Sequence, residues 1–187
     1  MCKRHKGIVC INGGRFQDTT GWGSDIPSGV LIKNGKVIWS DSKAKRSLIG
    51  FTKDNKLILT KATANEALEM GIRDALEFGP FLMVNGNKVK FNSKTGGYQR
   101  AARVAIGQRR DGIVLFLVTE GVHTKGPNMK EVVDIMEQYG AYNVANLDGG
   151  TSAQLVIKNK LVNNPKNVYG KPVVGGRPVV SGFGLLK

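Results

Sequence analysis

Glycine- and asparagine-bearing turns cut this 187-residue chain into short apolar runs, and that punctuation limits the fold more than any other feature. Asn34-Gly35 stands between residues 30–33 and 36–39, both apolar-rich. A type I′ turn needs φ > 0 at both central positions, which Asn and Gly adopt most readily, so the dipeptide predicts a two-residue β-hairpin. Lys53-Asp54-Asn55 divides residues 48–51 from 57–59 in the same way, and Asn85-Gly86 divides 80–84 from 89–91. Arg110-Asp111-Gly112 separates 104–107 from 113–118, Asn159 separates 154–157 from 161–162, and residues 179–186 read as a last strand.

Two helices interrupt the strands. Thr63 and Glu66 form a capping-box signature that opens a helix expected to run to about residue 76, with Gly71 as a weak point inside it. Asn128 and Glu131 open the second, where Met129, Val132, Val133 and Met136 recur at helical spacing on a core face, and Gly140 stops it. Strands outnumber helices and turn mostly by hairpins, which predicts an α+β fold on an antiparallel or mixed sheet. The length suits one domain over residues 1–187. Residues 163–176 form the most loop-like stretch.

Composition narrows the functional classes. A hydrophobic fraction of 41% supports a packed core. No apolar run approaches the roughly 20 residues of a membrane span, so no membrane partner is expected. Met1-Cys2-Lys3-Arg4-His5-Lys6 carries the charge of a signal peptide without an apolar stretch after it. A cytoplasmic location is the expectation for the sequence as written, unless it is a trimmed, exported or phage-borne form. Cys2 and Cys10 read as reduced thiols or one isolated pair, with no disulfide framework. The 28 Lys+Arg against 14 Asp+Glu give a net charge of +14, which draws anionic glycans, phosphorylated small molecules or nucleic acid. The basic residues are scattered, so a solvated surface and a functional basic face both remain open. Nucleic acid is the weakest of these partners, because no strand motif interleaves aromatic and basic residues.

Three glycine turns follow apolar strands and carry polar residues that a core would not need. They are Ile11-Asn12-Gly13-Gly14-Arg15-Phe16, Phe78-Gly79-Pro80 and Asn146-Leu147-Asp148-Gly149-Gly150-Thr151-Ser152. Paired glycines let backbone N–H groups approach a ligand, although the same dipeptides make ordinary turns. Taken in order with Arg103-x-Ala105-x-Gly107, Glu120-Gly121, Asn163-Asn164-Pro165 and Arg177-Pro178-Val179, they resemble the phosphodiester glycosidase family. The resemblance spans residues 7–186, and Asn-Leu-Asp-Gly-Gly-x-Ser is its most specific segment. The family includes an enzyme that removes N-acetylglucosamine from mannose 6-phosphate tags and bacterial proteins linked to exopolysaccharide. Glu120 stands where the family usually has Asp, and Arg15 where many members have an aromatic or small residue. The family's usual strands before the Asn-Gly-Gly turn are lacking, which implies an open N-terminal edge that a partner copy in a homo-oligomer would cover.

The reaction this resemblance implies is hydrolysis of a sugar-1-phosphodiester at the sugar C1–O–phosphate bond, releasing sugar and a phosphomonoester. The partner is then an anionic sugar-phosphate or phosphoglycan. A phosphomonoester has a second pKa of about 6 and leaves without strong protonation. The chemistry needs a cationic clamp for phosphate and a carboxylate at the anomeric carbon. Arg103 and Arg177 are the clamp candidates; Asp148 is the nucleophile or base, or else an Asx-turn brace, and Glu120 the second carboxylate or a plain strand-end residue. Asn12 and Asn146 would meet sugar hydroxyls or an N-acetyl group; Gly13, Gly14, Arg15, Gly79, Gly149, Gly150 and Ser152 complete the binding set. Ser152 lacks a histidine to activate it, since His123 reads as a surface residue and His5 lies near the terminus. Asp148 and Glu120 could share a divalent cation, but no His or third acid joins them, so no cofactor is expected. The alternative is a protein that keeps the pocket and sequesters a phosphorylated sugar or nucleotide-like ligand without cleaving it.

Overall fold

The computed structural model describes residues 1–20, 25–91, 98–122 and 125–186. Its strands are β1 (Gly7–Asn12), β2 (Val30–Lys33), β3 (Lys36–Ser40), β4 (Arg46–Thr52), β5 (Leu57–Ala62), β6 (Ile72–Glu77), β7 (Phe81–Val84) and β8 (Asn87–Lys88). β9 (Val104–Arg109), β10 (Val114–Val118), β11 (Ala141–Leu147), β12 (Leu155–Ile157), β13 (Lys160–Leu161) and β14 (Gly182–Leu186) follow. Helix α1 (Ala64–Glu69) precedes β6, and α2 (Met129–Gln138) precedes β11. The described strands build three sheets in the orders β3-β2-β6-β4-β5, β10-β9-β11-β7-β8 and β13-β12-β1-β14. Every strand pairing is antiparallel, so the α+β expectation holds.

The hairpins turn where the Asn and Gly signals stand, and Asn34, Asn55, Asn85 and Asn159 all have positive φ. β8 is shorter than expected and begins just after Asn85-Gly86. The first helix is a larger departure. Its capping box forms as expected, with Thr63 Oγ1 accepting the Glu66 N–H at 3.1 Å and Glu66 Oε2 accepting the Thr63 N–H at 2.8 Å. The helix then ends at Glu69 instead of continuing to residue 76. Gly71, at φ +76°, reverses the chain, a conformation that L residues with a Cβ resist. The six residues after it become β6, hydrogen-bonded to β2 on one side and β4 on the other.

Each helix covers one sheet. Ala64 and Ala67 of α1 pack on Val30, Ile32, Leu48 and Ile72, whereas Met129, Val132, Val133 and Met136 of α2 pack on Leu82, Met83, Ala105 and Val144. The remaining faces meet in a central core to which all three sheets contribute, with Ile11, Ile49, Leu76, Val104, Ile106 and Leu147 buried together. Each such side chain contributes about 1.5–3 kcal/mol when fully buried. Phe51 and Phe183 join two of the sheets edge-to-face at 5.7 Å. Gln108 ties two hairpins from within, accepting the Leu57 N–H at 2.7 Å and donating to Asn55 O and Gly112 O.

β1 lies between β12 and β14, so the expectation of an open N-terminal edge is corrected: both sides of that strand are paired. Cys2 and Cys10 are joined as a disulfide with Cα atoms 5.9 Å apart, which resolves the two readings of the cysteines. Among the described residues no helix is long and apolar enough to cross a membrane.

Candidate active site

The ends of β1, β6 and β11 and the start of β9 meet at one place, and the glycine turns are what let them approach. A Cβ on Gly14 would lie 2.4 Å from Glu77 O at the end of β6, and one on Gly149 would lie 2.5 Å from Ala102 O, just before β9. The pairing of Leu147 with Val104 brings Asp148 beside Arg103. Asn12 then locks β1 to this turn: its Nδ2 donates to Asp148 O at 2.6 Å and its Oδ1 accepts the Gln154 N–H at 3.0 Å. The Asp148 N–H donates to Gly13 O at 3.0 Å.

These bonds revise what the glycine turns do. The N–H groups of Gly13, Gly14 and Gly150 do not point to a ligand, because protein acceptors take them. Gly13 donates to Ser181 O and Gly14 to Ser181 Oγ, both at 2.9 Å, and Gly150 donates to Ala102 O at 2.8 Å. The turns therefore shape the site, and side chains carry its polar chemistry. Asn12, buried and doubly bonded, is a brace where a sugar contact was expected. Gly79 supplies its carbonyl to Asn146 Nδ2 at 3.0 Å, and the Asn146 N–H donates to Pro80 O. Asn146 Oδ1 is buried with no partner among the described residues, an acceptor that hydrogen-bonding rules leave available.

Asp148 is the central titratable group. Burial pushes its carboxyl above the usual range, while a hydrogen bond from Ser152, the Arg177 charge and the Gly149 N–H oppose that shift. The Asp18 charge pushes in the same direction as burial. Ser152 is buried and braces Asp148 through a side-chain hydrogen bond. Arg177 is only 10% exposed at its side chain and pairs with Asp18 through Nη2. Its guanidinium lies 5.0 Å from the centre of the Phe16 ring, and its Nε is buried with no partner among the described residues. A planar cation held on two sides with a donor left over suits a phosphate oxygen. Asp18 is a residue that sequence reasoning missed. It lies in an irregular stretch with no motif around it and meets Arg177 across 159 positions, so nothing local marks it.

Arg103 is half-buried, and burial lowers its proton affinity. Its guanidinium is held by carbonyls, Gln99 O at 2.5 Å and Pro127 O at 3.5 Å, with no carboxylate in an ion pair with it among the described residues. Its charge is thus not offset by a protein carboxylate, and the cation that acts on Asp148 is Arg177. Glu120 stands apart from these groups. It is exposed, its Oε1 accepts the Asn164 N–H at 2.6 Å, and it is not among the groups that shift Asp148. β9 intervenes between its strand and that of Asp148, about 10 Å across two strand spacings. The carboxylate electrostatically coupled to Asp148 is Asp18 instead. Arg15 is exposed, and His123 lies outside the described residues. Among the described residues no three His, Cys, Asp or Glu side chains gather in a group that would hold a metal.

The family model for phosphodiester glycosidases matches residues 5–186. The chain belongs to that family. Mouse N-acetylglucosamine-1-phosphodiester alpha-N-acetylglucosaminidase is 25% identical over 176 residues, covering 85% of this chain and 33% of the mouse protein. The SPbeta prophage-derived protein YomE of Bacillus subtilis is 26% identical over 191 residues, covering 93% of this chain and 28% of its own length. This family member therefore spans about a third of the length of these curated relatives. The zebrafish N-acetylglucosamine-1-phosphodiester alpha-N-acetylglucosaminidase catalytic domain, auto-inhibited by its pro-peptide, superimposes with a TM-score of 0.78 at 23% identity. That match covers 97% of this chain and 63% of the zebrafish one, and it shows a shared fold.

Proposed function

We propose that this protein hydrolyses the sugar C1–O–phosphate bond of a sugar-1-phosphodiester such as a GlcNAc-1-phosphodiester. The observation that carries the reading is the coupling of a buried carboxylate, Asp148, to Arg177, whose Nε has no partner among the described residues, with Arg103 at the adjoining strand start free of any carboxylate ion pair. In this reading the two arginines grip the phosphate oxygens and Asp148 faces the anomeric carbon. As the C1–O bond breaks, its electron pair leaves with the phosphate. Asp148 stabilises the positive charge developing at C1 and then either bonds to that carbon or takes a proton from the attacking water. Water oxygen ends on C1, and the products are free sugar and a phosphomonoester. A leaving group with a pKa of about 6 needs no dedicated acid, which fits a site where Glu120 is engaged elsewhere.

The position of Glu120 also favours a second reading, a protein that binds the phosphodiester without cleaving it. Incubation with a GlcNAc-1-phosphodiester, with released sugar and phosphomonoester measured against heat-treated protein, separates the two. Stoichiometric release of both products supports hydrolysis. Saturable binding with no release at high protein concentration would replace it with the binding reading.

A further inference from the structure

A cleft of about 340 Å³ opens beside the site, and its lining combines apolar and cationic side chains. The Cys2–Cys10 disulfide, Val156, Pro178 and Val179 supply an apolar wall, while Arg177 and Arg4 supply two guanidiniums. Its other polar side chains each already make a bond to the protein. Asn12 is bonded to Asp148 O and Gln154 N, Gln154 Nε2 donates to Arg177 O, and Ser181 Oγ accepts the Gly14 N–H. Among the described residues the lining holds no aromatic side chain. A sugar is usually gripped by several free hydrogen-bonding groups fixing its orientation, and here each such side chain already gives part of its bonding capacity to the protein.

We infer that this cleft receives the group beyond the phosphate, and that this group is an apolar chain or ring system with a second negative charge at its far end. The inference rests on the hydrolase reading above, which puts the phosphate at Arg177. From there the ester continues along the apolar wall, where burying hydrocarbon is favourable in proportion to area. Arg4 is exposed and forms no ion pair with a carboxylate among the described residues, so it is available to the second anion. An uncharged polar substituent would itself lose water against the wall and gain few partners in return.

Product-type ligands test this without requiring turnover. Titration calorimetry on the intact, disulfide-bonded chain would compare methyl phosphate, octyl phosphate, 8-carboxyoctyl phosphate and glucose 6-phosphate. Octyl phosphate should bind about tenfold or more tightly than methyl phosphate, and the terminal carboxylate should tighten binding again. Arg4→Ala should erase the carboxylate's increment and leave the octyl advantage intact. Val179→Trp, which fills the cleft, should erase the octyl advantage with methyl phosphate binding unchanged. Equal affinity for the methyl and octyl esters, absence of binding by all four, or tightest binding by glucose 6-phosphate would each overturn the inference. Failure of the hydrolysis assay alone would leave these affinities unaltered, so the two readings fail separately.

Discussion

Replacing Asn12 with alanine should cost stability before it costs recognition. Its amide, on a residue only 4% exposed, satisfies Asp148 O at 2.6 Å and the Gln154 N–H at 3.0 Å. Alanine leaves both backbone groups without a partner at a buried junction of two sheets. Each orphaned group costs about 1–3 kcal/mol, so the pair costs about 2–6 kcal/mol. A water entering the vacated space would restore part of it, which places the expectation near about 3 kcal/mol. In a domain of this size each kcal/mol lowers Tm by about 2–4 °C, so the variant should melt about 6–12 °C below its parent. Asn12→Asp keeps the acceptor for Gln154 but sets a carboxylate oxygen against Asp148 O. It should lose at least as much at pH 7 and recover part of the loss below about pH 4, where the new acid takes a proton and can donate. Calorimetric melting combined with steady-state kinetics reads both effects. An Asn12→Ala protein that melts within about 2 °C of the parent but has a raised KM would refute the brace and restore the direct sugar contact.

Four further outcomes follow from the same site. Asp148→Asn should lower kcat about a hundredfold or more; near-normal turnover would reduce Asp148 to a turn brace. Because burial raises the Asp148 pKa in the folded state, the native protein holds this proton more tightly than the unfolded chain does. Its contribution to stability is full below the unfolded value of about 3.9 and is lost as pH rises through the higher folded value. Asp148→Asn should therefore unfold at higher urea than the parent at pH 7, with the difference shrinking below about pH 4; a difference that grows on acidification would contradict the burial argument. Gly149→Ala drives a Cβ to 2.5 Å from Ala102 O, so it should cost about 1–3 kcal/mol and most of the activity, whereas unchanged melting and turnover would mean that the two strand ends do not touch as described. Asp18→Asn should leave kcat nearly intact and raise KM about tenfold by loosening Arg177; a loss confined to kcat would make Asp18 part of the bond-breaking step instead.

The hairpins were legible because each turn's chemistry is local: Asn34-Gly35 determines its own backbone whatever surrounds it. β6 was not, since Ala75, Leu76 and Glu77 are good helix formers and follow a genuine capping box. Only the strands on both sides of residues 72–77 make them extended, and pairing of that kind overrides local propensity. The site divides along the same line. Asp148, Arg103 and Arg177 could be found because glycine turns and motif order mark them. The role of Asn12 could not, because a brace and a ligand contact use the same amide and differ only in what stands opposite. Asp18 was invisible for a related reason: its importance comes wholly from Arg177, which lies far along the chain.

The neighbours of β1 have a consequence for how the chain matures. Gly7 pairs with Leu186 and Asn12 with Gly182, so β1, once made on the ribosome, waits for residues 13–181 before this partner appears. Such distant contacts slow folding, because the closure entropy comes before any contact that offsets it. Until residues 182–186 emerge, one side of β1 presents open backbone, the kind of surface that draws unwanted strand pairing during synthesis. Arg177 and Ser181 lie just before that segment and arrive with it. The pocket is thus completed only as β14 docks, and a nascent chain stalled before residue 177 would carry Asp148 without the Arg177 charge.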